Sequence, residues 1–164
     1  MGMLVSSDSK YDRVYTGKAT FTASEENGYT LFKTNCISCH AEPLTTDFSF
    51  RNNGIDDQFT DLGRGHITQN PSDNGKFRVP NLRNIAITYP YMHDGRFSTL
   101  EQVVEHYNSG IKAHPTLSPA LRDANGNPVQ LNLTSSEKAA LVAFLKTLTD
   151  NSVSTETKWS NPFK

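Results

Sequence analysis

The sequence predicts an all-α domain whose long loops are wrapped around one large bound group. Three segments carry apolar residues at helical spacing, whereas alternating strand patterns are nearly absent. The connections are long and rich in Asn, Asp, Gly and Pro, notably over 70–75 and 114–128. Long loops without secondary structure are uncommon in compact domains. A large bound group resolves this conflict, because loops can fold around it and use it as core.

Three amphipathic helices are predicted, together with a shorter helix. The three cover about 24–36, 99–108 and 135–149, and the short one lies near 81–87. The second helix follows an S-x-x-E capping box formed by Ser98 and Glu101. The third follows a similar box formed by Thr134 and Glu137. Capping boxes satisfy backbone N–H groups at helix starts, so they predict where these two helices begin.

Length and charge indicate one domain and exclude several classes of partner. The 164 residues fit one domain, which we place at 23–150 between an N-terminal extension (1–22) and a C-terminal tail (151–164). With 16 basic and 17 acidic residues the net charge is −1, so neither nucleic acid nor an anionic membrane is expected. No run approaches the roughly 20 apolar residues of a membrane span. The first ten residues lack the basic and apolar regions of a signal peptide.

The two cysteines lie in the segment 36–40, which reads C-I-S-C-H and is the attachment signature of c-type haem. Two thiols three positions apart near a helix end can reach the two vinyl groups of one porphyrin. The following histidine then lies under the iron and offers an imidazole nitrogen. We therefore expect Cys36 and Cys39 to form the haem thioethers and His40 to be the proximal iron ligand.

Two other uses of a C-x-x-C pair are weaker. A thioredoxin-like redox site needs βαβ patterns, and the sequence has none. A structural zinc site needs about four ligands, and the chain has no second cysteine pair. Haem attachment is therefore the interpretation that the rest of the sequence favours.

Three further blocks resemble the C-terminal haem domain of bacterial dihaem cytochrome c peroxidases and MauG-type enzymes. They are 77–84 (F-R-V-P-N-L-R-N), 88–97 (T-Y-P-Y-M-H-D-G-R-F) and 99–101 (T-L-E), in the family's order. The helix before the haem motif also resembles the first helix of class I cytochromes c, where a glycine, here Gly28, packs against the C-terminal helix. The resemblance covers roughly 29–148. It implies a class I cytochrome c-like helical domain with long loops around one covalent haem c.

The resemblance also implies a function. In that family the N-terminal haem reacts with hydrogen peroxide, and the C-terminal haem receives electrons and passes them on. This chain has one C-x-x-C-H motif, so it resembles the electron-accepting half. The expected partners are a small electron-donor protein and a peroxidatic haem domain in a longer native chain, in the periplasm or another extracytoplasmic compartment. The alternative is that the single haem is itself an open-site peroxidase.

The distal iron ligand has two candidates. The family places it on the helix after the H-D-G block, as methionine in the peroxidases and tyrosine in MauG-type proteins, and the matching residue here is Tyr107. Tyr107 also completes the apolar stripe of Leu100, Val103 and Val104, so it is expected to face the interior. Met92 is the alternative, at a plausible distance in sequence after the haem histidine.

Two further sets of binding residues are expected, the first of them from the same resemblance. Thr88 and Pro90 match positions whose backbone carbonyls bind calcium between the two haem domains, and calcium prefers such oxygen ligands. Lys76, Arg78 and Arg83 are candidates for pairing with the haem propionates, which need cationic or polar partners. A loop shaped by Pro90 and ordinary surface charge are the alternative explanations.

Overall fold

The computed structural model describes residues 6–155, and in this part of the chain the fold is helical with long connections. The α-helices are α1 (Lys10–Tyr15), α2 (Ala23–Asn35), α3 (Arg64–Thr68), α4 (Leu100–Glu105), α5 (Ser135–Lys146) and α6 (Ser152–Thr155). Two strands, β1 (Phe50–Arg51) and β2 (Phe77–Arg78), form a small antiparallel sheet. Two-residue strands are too short to show an alternating pattern in sequence. None of the described helices has the length and apolar character needed to span a membrane.

The centre of the fold is the contact between α2 and α5, which the sequence predicted. Phe32 and Phe144 are fully buried between the two helices, with ring centroids 5.0 Å apart. Gly28 lies against the backbone of α5, and a Cβ added there would be 2.6 Å from the carbonyl carbon of Ala140. Glycine is therefore required at residue 28 by the close approach of two backbones.

Helix α4 begins one residue later than the predicted capping box. Its N-cap is Thr99, and the side chain of Gln102 accepts from the backbone N–H groups of Ser98 and Thr99, at 2.9 and 3.2 Å. The predicted pairing of Ser98 with Glu101 is wrong, because Gln102 serves as well as a glutamate in the reciprocal cap. By contrast, the predicted box at the start of α5 is confirmed.

The second helix also ends differently from the prediction. After Glu105 the chain widens into a π-helical turn over His106–Gly110. Asn108 points inward there, and its backbone and side-chain oxygens accept from the N–H groups of Leu131 and Leu133, at 3.0 and 2.7 Å. These long-range bonds compete with regular α-helical bonding, and periodicity in sequence carries no signal for them.

The third helix is shorter than predicted, because the chain turns inward after Lys146. Leu148 is fully buried, and its carbonyl accepts from the N–H of Asn84 at 3.0 Å. The side chain of Asn84 in turn accepts from the N–H of Asp150 at 2.7 Å. The predicted short helix near 81–87 is a single 3-10 turn, Ile85–Ile87, held against this end of α5.

Helix α1 packs on the same core, although it lies in the segment predicted as an extension. Tyr11 is 2% exposed and its N–H donates to the carbonyl of Thr147 at 3.0 Å. Asp12 pairs with both terminal nitrogens of Arg83, at 2.7 and 2.8 Å. The division of the chain at residues 22 and 150 stays a prediction, and residues 1–5 and 156–164 lie outside the described part.

We predict that Gly28→Ala lowers the free energy of unfolding by about 2–3 kcal/mol, because the new methyl group forces α2 away from α5. Chemical denaturation followed by circular dichroism would measure it. The matched control is Asn27→Ala on the exposed side of the same helix, expected to change stability by less than about 0.5 kcal/mol. Equal stability of the two variants would contradict the close-contact explanation.

Candidate haem site

The C-terminal end of α2 arranges both thiols and the imidazole on one turn. Cys36 caps the helix, and its N–H donates to the carbonyl of Phe32 at 2.8 Å. The N–H groups of Cys39 and His40 both donate to the carbonyl of Cys36, at 3.2 and 2.9 Å. The cysteines are free thiols. The turn thus carries two thiols and one imidazole within five consecutive residues.

His40 has a defined tautomer. Its Nδ1 lies 3.0 Å from the carbonyl oxygen of Thr45. A carbonyl only accepts, so Nδ1 carries the hydrogen and Nε2 keeps its lone pair. Burial lowers the pKa of His40, which keeps the ring neutral. A neutral imidazole oriented through Nδ1 is the state in which histidine binds a metal through Nε2.

Thr45 links the proximal loop to the 77–84 block. It is buried at 1% exposure with φ +53°, a strained conformation for a β-branched residue. Its hydroxyl accepts from the N–H of Leu82 at 2.9 Å and lies 3.0 Å from Oδ1 of Asn81. The neighbouring hydroxyl of Thr46 donates to the carbonyl of Val79 at 2.7 Å. Sequence analysis missed both threonines, because nothing local marks a residue whose partners are more than 30 positions away.

Tyr107 is half-buried on the π-helical turn over His106–Gly110. Burial raises the pKa of its phenol to about 12. Cys36 and His40 are also half-buried, so each of the three side chains combines a packed part with an accessible part.

Met92, the other candidate distal ligand, is also half-buried. Its sulfur accepts a hydrogen bond from Nδ2 of Asn53 at 3.3 Å. Met92 adopts φ +70°, in the left-handed region that few non-glycine residues occupy. Sequence analysis did not single out Asn53, because its partner Met92 lies 39 positions away.

His106 is buried, and its ring packs edge-on against that of Tyr107, with the ring centroids 5.0 Å apart. Its Nε2 donates to the carbonyl of Asn53 at 3.1 Å. This bond ties the turn that carries Tyr107 to the segment that follows β1.

The three predicted propionate partners have different surroundings. The guanidinium of Arg83 forms an ion pair with Asp12, and the ammonium group of Lys76 forms one with Asp73 at 3.1 Å. Arg78 lies over the ring of Phe48 at 5.2 Å and forms no ion pair with a described carboxylate. Pairing with a propionate stays a prediction for all three, and Arg78 has the least engaged guanidinium or ammonium group.

The predicted calcium ligands lie in an exposed loop. Thr88 and Pro90 are both exposed, and the Tyr89–Pro90 peptide bond is cis. Tyr91 N–H donates to the carbonyl of Phe97 at 2.7 Å and closes the loop. Calcium binding by the carbonyls of Thr88 and Pro90 stays a prediction.

A separate group of metal-type ligands lies close by. Asp56, His93 and Asp94 bring one ligand atom each within 4.8 Å of the others. Arg96 pairs with both carboxylates, at 2.7 and 2.6 Å, and His93 stacks on Phe77. These contacts explain why the three side chains lie together, because the two carboxylates belong to an ion-pair network centred on Arg96.

Comparison with known proteins identifies the relationship. The cytochrome c family matches residues 25–149, three quarters of the chain. The chain belongs to the cytochrome c family. It is 38% identical over 180 aligned positions to the methylamine utilization protein MauG of Paracoccus denitrificans, covering 87% of this chain and 46% of that protein. It is 36% identical to the cytochrome c551 peroxidase of Nitrosomonas europaea, covering 89% of this chain and 40% of the peroxidase.

Solved structures give the same result for the cytochrome fold. A MauG-like protein associated with microbial copper homeostasis is 38% identical, with a TM-score of 0.82 over 97% of this chain and 57% of that one. The dihaem peroxidase BthA of Burkholderia thailandensis is 26% identical, with a TM-score of 0.68 over 87% of this chain and 46% of that one. The predicted helical cytochrome c fold and the relationship to dihaem peroxidases and MauG are confirmed. The chain spans about half the length of the curated relatives it matches.

The donor set of this cytochrome fits the covalent haem c that the family implies. Two free thiols and a neutral imidazole with an available Nε2 share one turn. Tyr107 and Met92 offer a phenol and a thioether, the other side chains that bind haem iron. No other cysteine competes for the role, since the chain has two.

We predict that Thr45→Val destabilises the protein by about 1–3 kcal/mol, because the buried N–H of Leu82 loses its acceptor while side-chain volume is conserved. Denaturation curves would measure the loss. Thr45→Ser keeps the hydroxyl and serves as the control, and an equally large loss in that variant would point to the methyl group instead.

We predict an acid-sensitive contribution from Asp47, whose backbone N–H donates to the carbonyl of Cys39. Burial opposes its ionisation, but hydrogen bonds from Arg51 and Ser49 outweigh burial and lower the pKa of Asp47 to about 2. Its stabilisation is therefore complete above the unfolded pKa of about 4 and is lost as the pH falls towards about 2. Unfolding at about pH 6 and about pH 3 should show a shallower pH dependence for Asp47→Asn than for wild type.

The control for this experiment is Asp57→Asn at an exposed position. That variant should keep the wild-type pH dependence. If both variants flatten the dependence equally, the Asp47–Arg51 pair is not its source.

Proposed function

We propose that this cytochrome domain transfers electrons through one haem c, held by thioether bonds from Cys36 and Cys39 with His40 as the proximal ligand. The observation that carries the proposal is the turn at the end of α2, which carries both thiols and the oriented imidazole. When bound, the haem supplies an iron centre that takes up and releases one electron. The thioether bonds keep the group in place when the charge on the iron changes.

His40 has two tasks in this proposal. Nε2 supplies the lone pair for the iron, while the hydrogen on Nδ1 is fixed by the carbonyl of Thr45 at 3.0 Å. That bond prevents the ring from rotating and increases the electron density that the imidazole can donate. The block around Val79 and Leu82 then holds the proximal loop through Thr46 and Thr45.

We infer that Tyr107 supplies the distal ligand. The phenol is half-buried on the π-helical turn over His106–Gly110. Burial raises its pKa to about 12, so the free phenol is protonated at neutral pH, and only a strong electrophile such as ferric iron would replace its proton. A tyrosinate oxygen is anionic and hard, so it favours the ferric state and a low reduction potential.

The native partners follow from the relatives. Those relatives are about twice as long as this chain, and one solved relative is a dihaem peroxidase. We propose that the domain works beside a second haem domain that reacts with peroxide, and that it accepts electrons from a small donor protein. Covalent haem attachment of this kind occurs outside the bacterial cytoplasm, so we propose a periplasmic or other extracytoplasmic location.

We predict that Tyr107→Phe removes the distal ligand and leaves a high-spin spectrum and a raised reduction potential. The variant keeps the ring, so packing is conserved while the oxygen is lost. Absorption spectroscopy and potentiometric titration of the haem-loaded chain would measure both. Met92→Leu is the control, and its spectrum should match wild type.

Two results would contradict this assignment. The first is a Tyr107→Phe variant with an unchanged spectrum. The second is a band at the red edge of the visible spectrum in oxidised wild type, which reports methionine ligation. A five-coordinate wild type with peroxide turnover would instead favour the open-site peroxidase.

We also predict that Cys36→Ala and Cys39→Ala each leave one thioether bond, whereas the double variant holds haem only non-covalently. Mass spectrometry and a pyridine haemochrome assay on denatured protein would distinguish these states. Wild-type protein with the bare polypeptide mass, from a host able to attach haem, would contradict the proposal.

A further inference from the structure

We propose that the strained backbone at Thr45 directs its carbonyl at the proximal histidine, and that Asn81 is the positioning residue that maintains this strain. The carbonyl of Thr45 accepts from Nδ1 of His40 at 3.0 Å. Asn81 then acts on the iron indirectly, through Thr45 and His40. The inference rests on the proposed function, since it assumes that His40 binds the iron.

The conformation of Thr45 is unfavourable by itself. Its φ of +53° lies in the left-handed region, where a β-branched residue is an outlier. A residue keeps such a conformation only when the surrounding structure over-determines it, and strain of this kind is concentrated at functional positions. Thr45 is also 1% exposed, so its polar groups depend on bonds within the protein. Those bonds must supply what the backbone preference of Thr45 opposes.

The strained conformation determines the direction of one carbonyl. Rotation about the N–Cα bond of a residue moves its own carbonyl relative to the preceding chain, and His40 lies in the chain that precedes Thr45. At an ordinary negative φ the carbonyl of Thr45 would point in another direction, and Nδ1 of His40 would lose its acceptor. Strain at Thr45 is therefore converted into a fixed orientation of the imidazole ring.

Asn81 acts on Thr45 in two ways. Its Oδ1 accepts from the hydroxyl of Thr45 at 3.0 Å and from the N–H of Arg83 at 2.7 Å. The second bond closes an Asx-turn, in which an asparagine side chain bonds to the backbone two residues further on. Inside that turn, the N–H of Leu82 donates to the hydroxyl of Thr45 at 2.9 Å. Asn81 therefore binds the hydroxyl directly and shapes the turn that supplies its donor.

The hydroxyl hydrogen of Thr45 has a second acceptor, the carbonyl of Leu44 at 2.7 Å. Leu44 is the preceding residue, so this bond does not tie the proximal loop to any distant segment. Asn81 lies 36 positions from Thr45, and its bond, together with that of Leu82, fixes the loop against the 77–84 block. Loss of the Asn81 side chain should therefore loosen Thr45 without leaving its hydroxyl unpaired.

The bond between Thr45 and His40 affects electron donation to the iron. A carbonyl that holds the Nδ1 hydrogen makes the imidazole a more basic ligand and fixes the orientation of the ring. A more basic ligand favours the ferric state, so the bond lowers the reduction potential. If Asn81 maintains this bond, its removal should raise the reduction potential and make the Nδ1 hydrogen easier to exchange.

The test uses the haem-loaded chain with Asn81→Ala. Exchange of the Nδ1 hydrogen of His40 with deuterium, followed by NMR, should become about threefold to tenfold faster, the size of one neutral hydrogen bond. The ratio of ferrous to ferric haem at a fixed potential should rise by a similar factor. That change corresponds to a potential raised by up to about 59 mV for a one-electron couple.

The variant is expected to fold, because Asn81 is exposed and water can solvate the groups that it leaves. Water does not fix the geometry of those groups, so the two measurements report positioning. Thr45→Val removes the hydroxyl itself and should produce the same two changes. The double variant should add little to either single variant, since both remove the same bond.

A conservative variant and a matched control complete the experiment. Asn81→Asp keeps an oxygen acceptor for Thr45 and Arg83, so the Nδ1 hydrogen should exchange as slowly as in wild type. Asn84→Ala removes a side chain that accepts from the N–H of Asp150 at 2.7 Å, at the end of α5, and places alanine at φ +62°. That control should lose stability but keep the wild-type exchange rate and reduction potential.

Three results would overturn the inference while leaving ligation by His40 intact. The first is wild-type exchange and potential in both Asn81→Ala and Thr45→Val. The second is exchange in Asn81→Asp as fast as in Asn81→Ala, and the third is the same pair of changes in Asn84→Ala. Wild-type protein without covalent haem has a different meaning, because it would overturn the proposed function itself.

Discussion

The close contact between α2 and α5 is the constraint on which the rest of the structure depends. Gly28 allows the two backbones to approach, and Phe32 and Phe144 fill the space beside it. The haem motif begins directly where α2 ends, so the position of α5 determines the position of both cysteines. Helices α1 and α4 pack on the same core through Tyr11 and Val104. The four helices α1, α2, α4 and α5 therefore share one hydrophobic core.

The candidate haem ligands come from two kinds of sequence arrangement. The two thiols and the imidazole lie within five consecutive residues, 36–40. Met92 and Tyr107, the candidate distal ligands, lie in separate segments. Asn53 connects those segments, because its amide donates to the sulfur of Met92 and its carbonyl accepts from Nε2 of His106. A local motif is robust to changes elsewhere, whereas the placement of Met92 and Tyr107 depends on these long-range hydrogen bonds.

The sequence alone predicted the elements whose signal is local. The approximate helices and the cap at Thr134 were predicted from periodicity and spacing, and the packing role of Gly28 from the resemblance to class I cytochromes c; the structure agrees with them. The cap of α4 was misplaced by one residue because Ser98 and Thr99 are both good N-caps, and only the bonds of Gln102 distinguish them. Helix α1 was not predicted, since its six residues have too little length for periodicity to identify them.

By itself, then, the sequence determined the cytochrome fold class and the C-x-x-C-H turn, because both depend on residues that are neighbours along the chain. Only the tertiary structure decided that Thr45 orients His40, that the π-helical turn carries Tyr107, and that Asn53 bonds to both Met92 and His106. The physical reason is that hydrogen bonds between groups tens of residues apart leave no periodic or compositional trace. Their partners become neighbours only after the core has formed.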